Sequence, residues 1–340
     1  MKTAVVILNW NTREFLERFL PPLLDSLKGM DAQVVVADNC SHDGSVALME
    51  ESFPDVRLIK LEHNFGFTGG YNRALKEIDA EYYVLLNSDI EVGEGWLEPL
   101  VNWMDSHEDC GVCGPKLHSW YHRERFEYAG AAGGWLDRFG YPFCRGRILR
   151  DTEEDTGQYD KPASVMWVSG ACLMTRSSLW KRLGGLDERF FAHMEEIDYC
   201  WRAQLAGFKV DVVPESTVYH VGGGTLPPES PFKLQLNYRN NLLMLHKNLP
   251  RSLHSSLVIG TRFLLDVGAC IFYFLNAKKA CAKAVRRAHR EYRKMKGQRG
   301  DAPFLPDGFT RICLMRMGQM KGDKKFKYLR EYESRHRRSR

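Results

Sequence analysis

The sequence predicts an α/β fold, a mostly parallel central sheet with helices on both faces, followed by a helical C-terminal extension. Two observations carry this. Four strand, loop and helix units succeed one another over residues 3–86, each with its polar residues after the strand. Charge marks the extension: residues 251–340 hold 23 Lys and Arg against 7 Asp and Glu, whereas residues 1–250 hold 25 against 36. Such asymmetry suits an acidic body with a basic tail that meets an anionic surface. At 340 residues and 44% hydrophobic content, the chain can bury a sizeable core.

The elements follow in order. Residues 3–8, TAVVIL, form a β-branched strand. A polar loop leads to an amphipathic helix over 12–27, which Pro21 and Pro22 are expected to bend or break. The opening run MKTAVVILNW meets polar Asn9 and Asn11 and offers no small-residue cleavage site, so it reads as a strand and the protein is expected in the cytosol. Residues 33–37, QVVVA, read as a continuous apolar strand of the kind buried in a parallel sheet, and they run into DNCSHDGS before a helix over 46–52. A third strand over 56–61 leads through the glycine-rich loop 63–72 to a helix over 73–78, and YYVLL at 82–86 stops at Asn87-Ser88-Asp89. Ligands of such sheets bind beyond the carboxyl ends of the strands, where these loops collect.

From Cys110 to Pro162 the pattern degrades into Gly, aromatic and charged residues, and 118–162 reads as long mobile connections with short strands. Residues 165–175 return as a buried strand, 176–183 as a short helix, and 209–213 as a last strand before the segment 214–220. Residues 232–248 are helical. Residues 253–277 are apolar but interrupted by His254, Arg262 and Asp266, so the longest charge-free tract falls short of the roughly 20 residues a spanning helix needs. A strongly basic helix over 278–299 and a basic run over 321–340 close the chain. The nine cysteines show no disulfide framework, and Cys110-Gly-Val-Cys113 lacks a partner half-site, so these thiols are expected to pack.

Chemistry concentrates in FFAHMEEIDYCWRAQLAG, residues 190–207, which sets Glu195, Glu196 and Asp198 at the mouth of a helix. Clustered carboxylates raise one another's pKa and mark a candidate catalytic centre. Asp89, with Asn87 two residues before it, ends the fourth strand, where a carboxylate and an amide can hold Mg²⁺ or Mn²⁺ against a diphosphate. His220 would complete a mixed nitrogen and oxygen metal site. The loop of Asn64, Gly66, Gly69, Gly70 and Asn72 precedes a helix and could face phosphate oxygens, although it lacks the GxGxxG spacing. Asp38 could bond a base or a ribose, or cap the next helix.

The run of VVILNWN, VVVADNCSHDGS, HNFGFTGGYN, LLNSD, VSGACLMTR, GGLDERFFAHMEEIDYCWR and VYHVGGGT resembles the inverting family 2 glycosyltransferases with the GT-A fold, especially bacterial rhamnosyltransferase-like members, over residues 1–245. The resemblance implies that Asn11 and Asp38 lie near the nucleotide, that Asn64 to Asn72 flank the diphosphate-sugar, and that Asn87 and Gly170 belong to the same donor set. It implies metal binding by Asp89 with His220, with Asn87 where relatives often carry a first acid. It makes Glu196 the expected base, in place of a common Asp, with Asp198 the alternative and Glu195 beside it. The expected donor is a dTDP- or UDP-linked sugar, with L-rhamnose first, and the expected acceptor is a lipid-linked or polysaccharide hydroxyl of a bacterial surface glycan. Residues 1–250 are then the catalytic domain and 251–340 an extension that binds the anionic inner face of the membrane rather than nucleic acid. Two other readings are a sugar-phosphate nucleotidyltransferase, for which the first loop lacks a basic residue, and a non-catalytic nucleotide- or glycan-binding scaffold at the membrane, against which the acidic cluster argues.

Overall fold

The structure, a computed structural model, describes residues 1–222 and 230–337. Part of the VYHVGGGT motif, from Gly223 onward, and the last three residues of the basic run lie outside the described residues.

Strand β1 (Thr3–Asn9), α1 (Arg13–Ser26), β2 (Ala32–Asp38), α2 (Ser45–Ser52), β3 (Arg57–Lys60), α3 (Gly66–Lys76) and β4 (Tyr82–Asn87) form the parallel half of the main sheet. Helix α1 runs straight through Pro21 and Pro22. Both are exposed, so the carbonyls left without their N–H donors are open to solvent. Helix α3 begins at Gly66, seven residues earlier than expected, and so absorbs most of the glycine-rich loop.

Next come β5 (Ile90–Val92), α4 (Leu97–Ser106) and β6 (Cys110–Ser119), then the short strands β7 (Gly134–Leu136), β8 (Pro142–Cys144), β9 (Arg147–Ile148) and β10 (Asp151–Thr152). The main sheet resumes with β11 (Ala163–Ser164) and β12 (Cys172–Arg176), followed by α5 (Ser177–Leu183), α6 (Glu195–Leu205) and β13 (Lys209–His220). Its order is β11-β13-β6-β12-β4-β1-β2-β3, with β5 against β13, and β12 runs antiparallel to both neighbours. Strand β13 extends through Pro214 to His220 by shifting register between Val212 and Thr217. That extension carries His220 to the same end of the sheet as Asp89.

Alternation along the strands splits the core. Val5, Ile7, Val34, Val36, Val84 and Leu86 pack under α1, α2 and α4, while Ala4, Val6, Val35, Ala37, Tyr83 and Leu85 pack under α3, α5 and α6. The segment expected to be mobile is instead a folded cover. β7 to β10 pair as a four-stranded antiparallel sheet, and Trp135, Phe143, Cys144 and Ile148 are buried in the second core.

The remainder is helical: α7 (Pro231–Asn248), α8 (Leu253–Leu275), α9 (Lys279–Met295), α10 (Leu314–Gly318) and α11 (Lys324–Arg337). Val258, Tyr292, Ile312, Leu314, Met317, Phe326 and Leu329 join the same core as the cover sheet. Residues 251–337 are therefore built into the body, and backbone bonds from Leu136 N to Gly308 O and from Thr310 N to Leu136 O stitch the two together. Helix α8 is long and apolar enough to cross a membrane by length and composition, with a mean hydropathy of 1.7, which corrects the expectation drawn from its charge-free tract. Its Arg262 and Asp266 pair with each other at 2.9 Å and are buried, so one face of the helix is apolar throughout.

Candidate active site

The ends of β1, β2 and β4 hold the first group of polar residues. Buried Asn9 donates to Asp38 Oδ1 at 2.8 Å and accepts from Thr12 Oγ1 at 2.6 Å, and Asp38 Oδ2 accepts from Ser41 N at 2.9 Å. Asp38 thus shapes its own loop. Asn11, at φ 53°, accepts from His42 N and stays exposed at the rim. Asn39 bridges to Asn64 Oδ1 and Gly66 O, joining the second loop to the start of α3.

Three residues of the expected donor loop have other tasks. A Cβ at Gly70 would meet the Leu8 side chain at 2.6 Å, so this glycine lets α3 approach β1. Gly69 packs between Phe65 and Arg73. Asn72 exchanges bonds with Leu186 N and O, at 2.9 and 2.8 Å, and ties α3 to the turn before the acids. Only Asn64 and Gly66 remain at the helix mouth. Asn87 ends β4, its N–H given to Ala171 O.

Asp89 and His220 come together as the sequence suggests. Nε2 of His220 lies 3.2 Å from Asp89 Oδ1, and its Nδ1 lies 3.3 Å from Glu127 Oε2, ion-pair distances without hydrogen-bond alignment. Burial would strip the imidazole of its proton, but the charges of Asp89 and Glu127 push its pKa up to about 10. Burial works most strongly against ionised Asp89, but the His220 imidazole and the backbone N–H groups of Asp89 and Gly222 together outweigh it and hold the carboxyl below its usual range. Among the described residues no group of three His, Cys, Asp or Glu could enclose a metal. A hard cation that keeps open positions would have to displace the Nε2 proton of His220, after which the pair would offer it one nitrogen and one oxygen about 3 Å apart. Glu127, on the opposite ring nitrogen, would fix the imidazole for that task.

The acids occupy the first turn of α6. The approach to them is contorted: Asp187 caps a 3₁₀ turn, Glu188–Phe190, and Phe191 then adopts φ 64°, ψ −58° while Ala192 N–H donates to Phe190 O at 2.7 Å. This is the rare, strained form of γ-turn. His193 and Met194 follow at φ 70° and 73°. Non-glycine residues held in such conformations cost on the order of 1–3 kcal/mol each and persist only where surroundings enforce them.

The three carboxylates part company here. Asp198, fully buried, accepts from Arg202 Nε at 2.8 Å, Lys247 Nζ at 2.9 Å and Asn248 Nδ2 at 2.7 Å. Burial opposes its charge, and these cations still hold it ionised below its usual pKa. Three donors thus engage both of its oxygens, in contrast to its two neighbours. Glu196 has a buried Oε2 with no hydrogen-bond partner, and so does Glu195. Burial pushes Glu196 up to about 7 against the pull of the helix N-terminal N–H groups. Burial and the Glu196 charge push Glu195 well above its usual range. Gly170 sits between Glu196, whose Cβ is 3.3 Å from the point a Gly170 Cβ would occupy, and Phe67 of α3, whose ring is 3.5 Å from it, so it lies between the acids and the donor loop.

Asn9, Glu127, Lys247 and Asn248 were not singled out from the sequence. Asn9 carried a signal, since it ends β1 as Asp38 ends β2. Glu127 carried none, because what brings it to His220 is its backbone bond to Leu117 O of β6, the neighbour of β13.

The model of the family described as Glycosyl transferase family 2 matches residues 4–183, just over half of the chain. The chain belongs to this family. The transferase is 28% identical over 231 residues to the N-acetylglucosaminyl-diphospho-decaprenol L-rhamnosyltransferase of Mycobacterium tuberculosis, covering 64% of this chain and 75% of that protein. It is 25% identical over 246 residues to the dTDP-rhamnosyl transferase RfbF of Shigella flexneri, covering 67% and 76%. Its fold is similar to that of residues 1–349 of TarS from S. aureus in complex with UDP-GlcNAc, with TM-score 0.53, 15% identity and coverage of 88% and 93%. It is also similar to the mannosyltransferase PcManGT from Pyrobaculum calidifontis in complex with GDP-Man and Mn²⁺, with TM-score 0.51, 14% identity and coverage of 86% of each chain. This is the GT-A fold. In this family 2 transferase the matched region holds Asp38, Asn64 and Asp89, whereas Glu196 and His220 lie beyond it.

Proposed function

We propose that this glycosyltransferase moves a sugar, with inversion, from a nucleoside diphosphate to a hydroxyl of a lipid-linked or polysaccharide acceptor in bacterial surface glycan synthesis. The observation that carries the reading is Glu196: a buried carboxylate with an open oxygen and a pKa raised to about 7, beside a neighbour, Asp198, already saturated by three donors. Its charged form can take the acceptor's hydroxyl proton as that oxygen bonds to the anomeric carbon, while the bond from that carbon to the diphosphate oxygen breaks. Attack from the face opposite the leaving group inverts the centre. Mg²⁺ or Mn²⁺, held by Asp89 and His220, would offset the charge of the departing diphosphate. The relatives named as rhamnosyltransferases favour L-rhamnose, from dTDP, ahead of a UDP-linked hexose.

The chain is read as a cytoplasmic protein held peripherally on the inner face of the membrane. Leu253, Leu257, Leu264, Ile271, Phe272 and Leu275 of α8 are 54–79% exposed. Beside them the exposed side of α9 carries Lys279, Lys283, Arg286, Arg287, Arg290, Arg293 and Lys294. An apolar face rimmed by cations fits an anionic leaflet, where each basic group contributes on the order of 1 kcal/mol. The buried Arg262 also donates to Asn241 Oδ1 of α7 at 2.6 Å, and Asp266 faces His289 of α9 at 3.2 Å, so α8 is fastened to the body along one side and lies in the surface plane. Melting temperature in dTDP, UDP or GDP, each with and without Mn²⁺, tests the donor reading. A rise with dTDP that needs Mn²⁺ and is lost in His220→Ala is expected; equal response to all three without metal would contradict it.

A further inference from the structure

Within residues 190–194 the single hydrogen bond from Ala192 N to Phe190 O closes the contorted approach to Glu195 and Glu196; from outside, Thr68 N of α3 donates to Phe191 O at 3.2 Å, and α7 supplies the side-chain donors. Asn240 Nδ2, wholly buried, lies 2.9 Å from Phe190 O, 2.8 Å from Ala192 O and 2.8 Å from His193 O. Its two hydrogens are shared among three carbonyls that an extended loop could not bring to one point. Arg239 Nη2 adds bonds to Phe190 O at 2.8 Å and Arg189 O at 3.2 Å, so Phe190 O accepts from both residues and from Ala192 N. Arg239 is itself held from α9: Glu291 Oε2 accepts from Arg239 Nη1 at 3.2 Å and from Gln235 Nε2 at 2.8 Å.

We propose that Asn240 and Arg239 are positioning residues of the transfer reaction, which hold the strained turn over residues 190–194 in the one shape that sets Glu196 at the mouth of α6. Within the turn these donors reach only carbonyl oxygens, so they act on its backbone and make no bond to the Glu195 or Glu196 carboxylates. Through Glu291 the basic C-terminal helix supports the same turn. The inference rests on Glu196 as the base, and the test separates the two.

Asn241 supplies the control. It is the next residue on α7 and equally buried, but it donates to Gly140 O at 2.7 Å and accepts from Arg262, away from the turn. Full-length Asn240→Ala, Asn240→Asp and Asn241→Ala are compared by amide hydrogen exchange over residues 188–198, by dTDP and UDP affinity with Mn²⁺, and by release of nucleoside diphosphate from the matching sugar nucleotide. Asn240→Asp keeps the size of the side chain and replaces its donor hydrogens with a second acceptor facing the carbonyls. Both Asn240 variants are expected to exchange faster over 188–198 and to lose kcat by about 100-fold, the cost of roughly 1 Å of misplacement, at unchanged nucleotide affinity. Asn241→Ala is expected to lower the melting temperature without either effect. Equal exchange and equal kcat in the Asn240 and Asn241 variants would overturn the proposal. Full turnover by Glu196→Gln would overturn the base instead, and the exchange comparison would still decide the role of Asn240.

Discussion

At the scale of residues, the site separates three adjacent acids by their partners. Asp198 keeps its charge because Arg202, Lys247 and Asn248 surround it, and removing one partner of such a buried group costs about 3–5 kcal/mol. Glu196 has no such partner, so burial decides its pKa, which stands at about 7. Because the base works in its ionised form, kcat should rise as pH increases through about 7 and fall below it. A pH profile of kcat checks this, and a rate flat down to pH 5 would contradict it. The neighbouring carboxyl Glu195 is raised further, by burial and by the Glu196 charge. The sequence made the acidic cluster and the Asp198 to Arg202 pairing legible, since i and i+4 share a helix face. It could not rank the acids, because Lys247 and Asn248 come from a helix about 50 residues away.

At the scale of elements, helix α8 departs most from its reading. Arg262 and Asp266 look like interruptions of an apolar run, but four residues apart they meet on one face and turn inward together, which leaves the outer face apolar. Periodicity carried that information; a count of charge-free residues discards it. Leu264→Glu with Phe272→Glu should abolish flotation of the protein with liposomes containing anionic lipid, while the melting temperature and nucleotide affinity stay unchanged. Undiminished flotation, or resistance of the wild-type protein to alkaline carbonate extraction, would sink the in-plane docking. The cover sheet was missed for a different reason. Its strands are two or three residues long, too short for any alternation to show, and they hold together through contacts with Phe309 and Trp167 rather than through their own pattern.

At the scale of the whole molecule, the parallel half of the sheet was readable because its strands end in polar residues and the first three each lead into a helix. The second half was not, because β6, β12 and β13 pair across long separations, and β13 is continuous only through a register shift at Pro214. The boundary at residue 250 followed composition, whereas packing ignores it: Val258, Tyr292, Leu314 and Leu329 share a core with Trp135 and Phe143. Residues 1–250 alone should therefore show no cooperative thermal transition by circular dichroism. A melt close to that of the full chain would contradict the shared core. Helix α9 presents its cations outward and its Glu291 inward to Arg239.

The central claim is that Glu196 removes the acceptor proton while the nucleotide sits on other residues. It is tested most directly by measuring transfer and nucleotide affinity together in Glu196→Gln. The account predicts a fall in kcat of about 10²–10⁴-fold with nucleoside diphosphate affinity unchanged. Turnover close to that of the unaltered protein would contradict it.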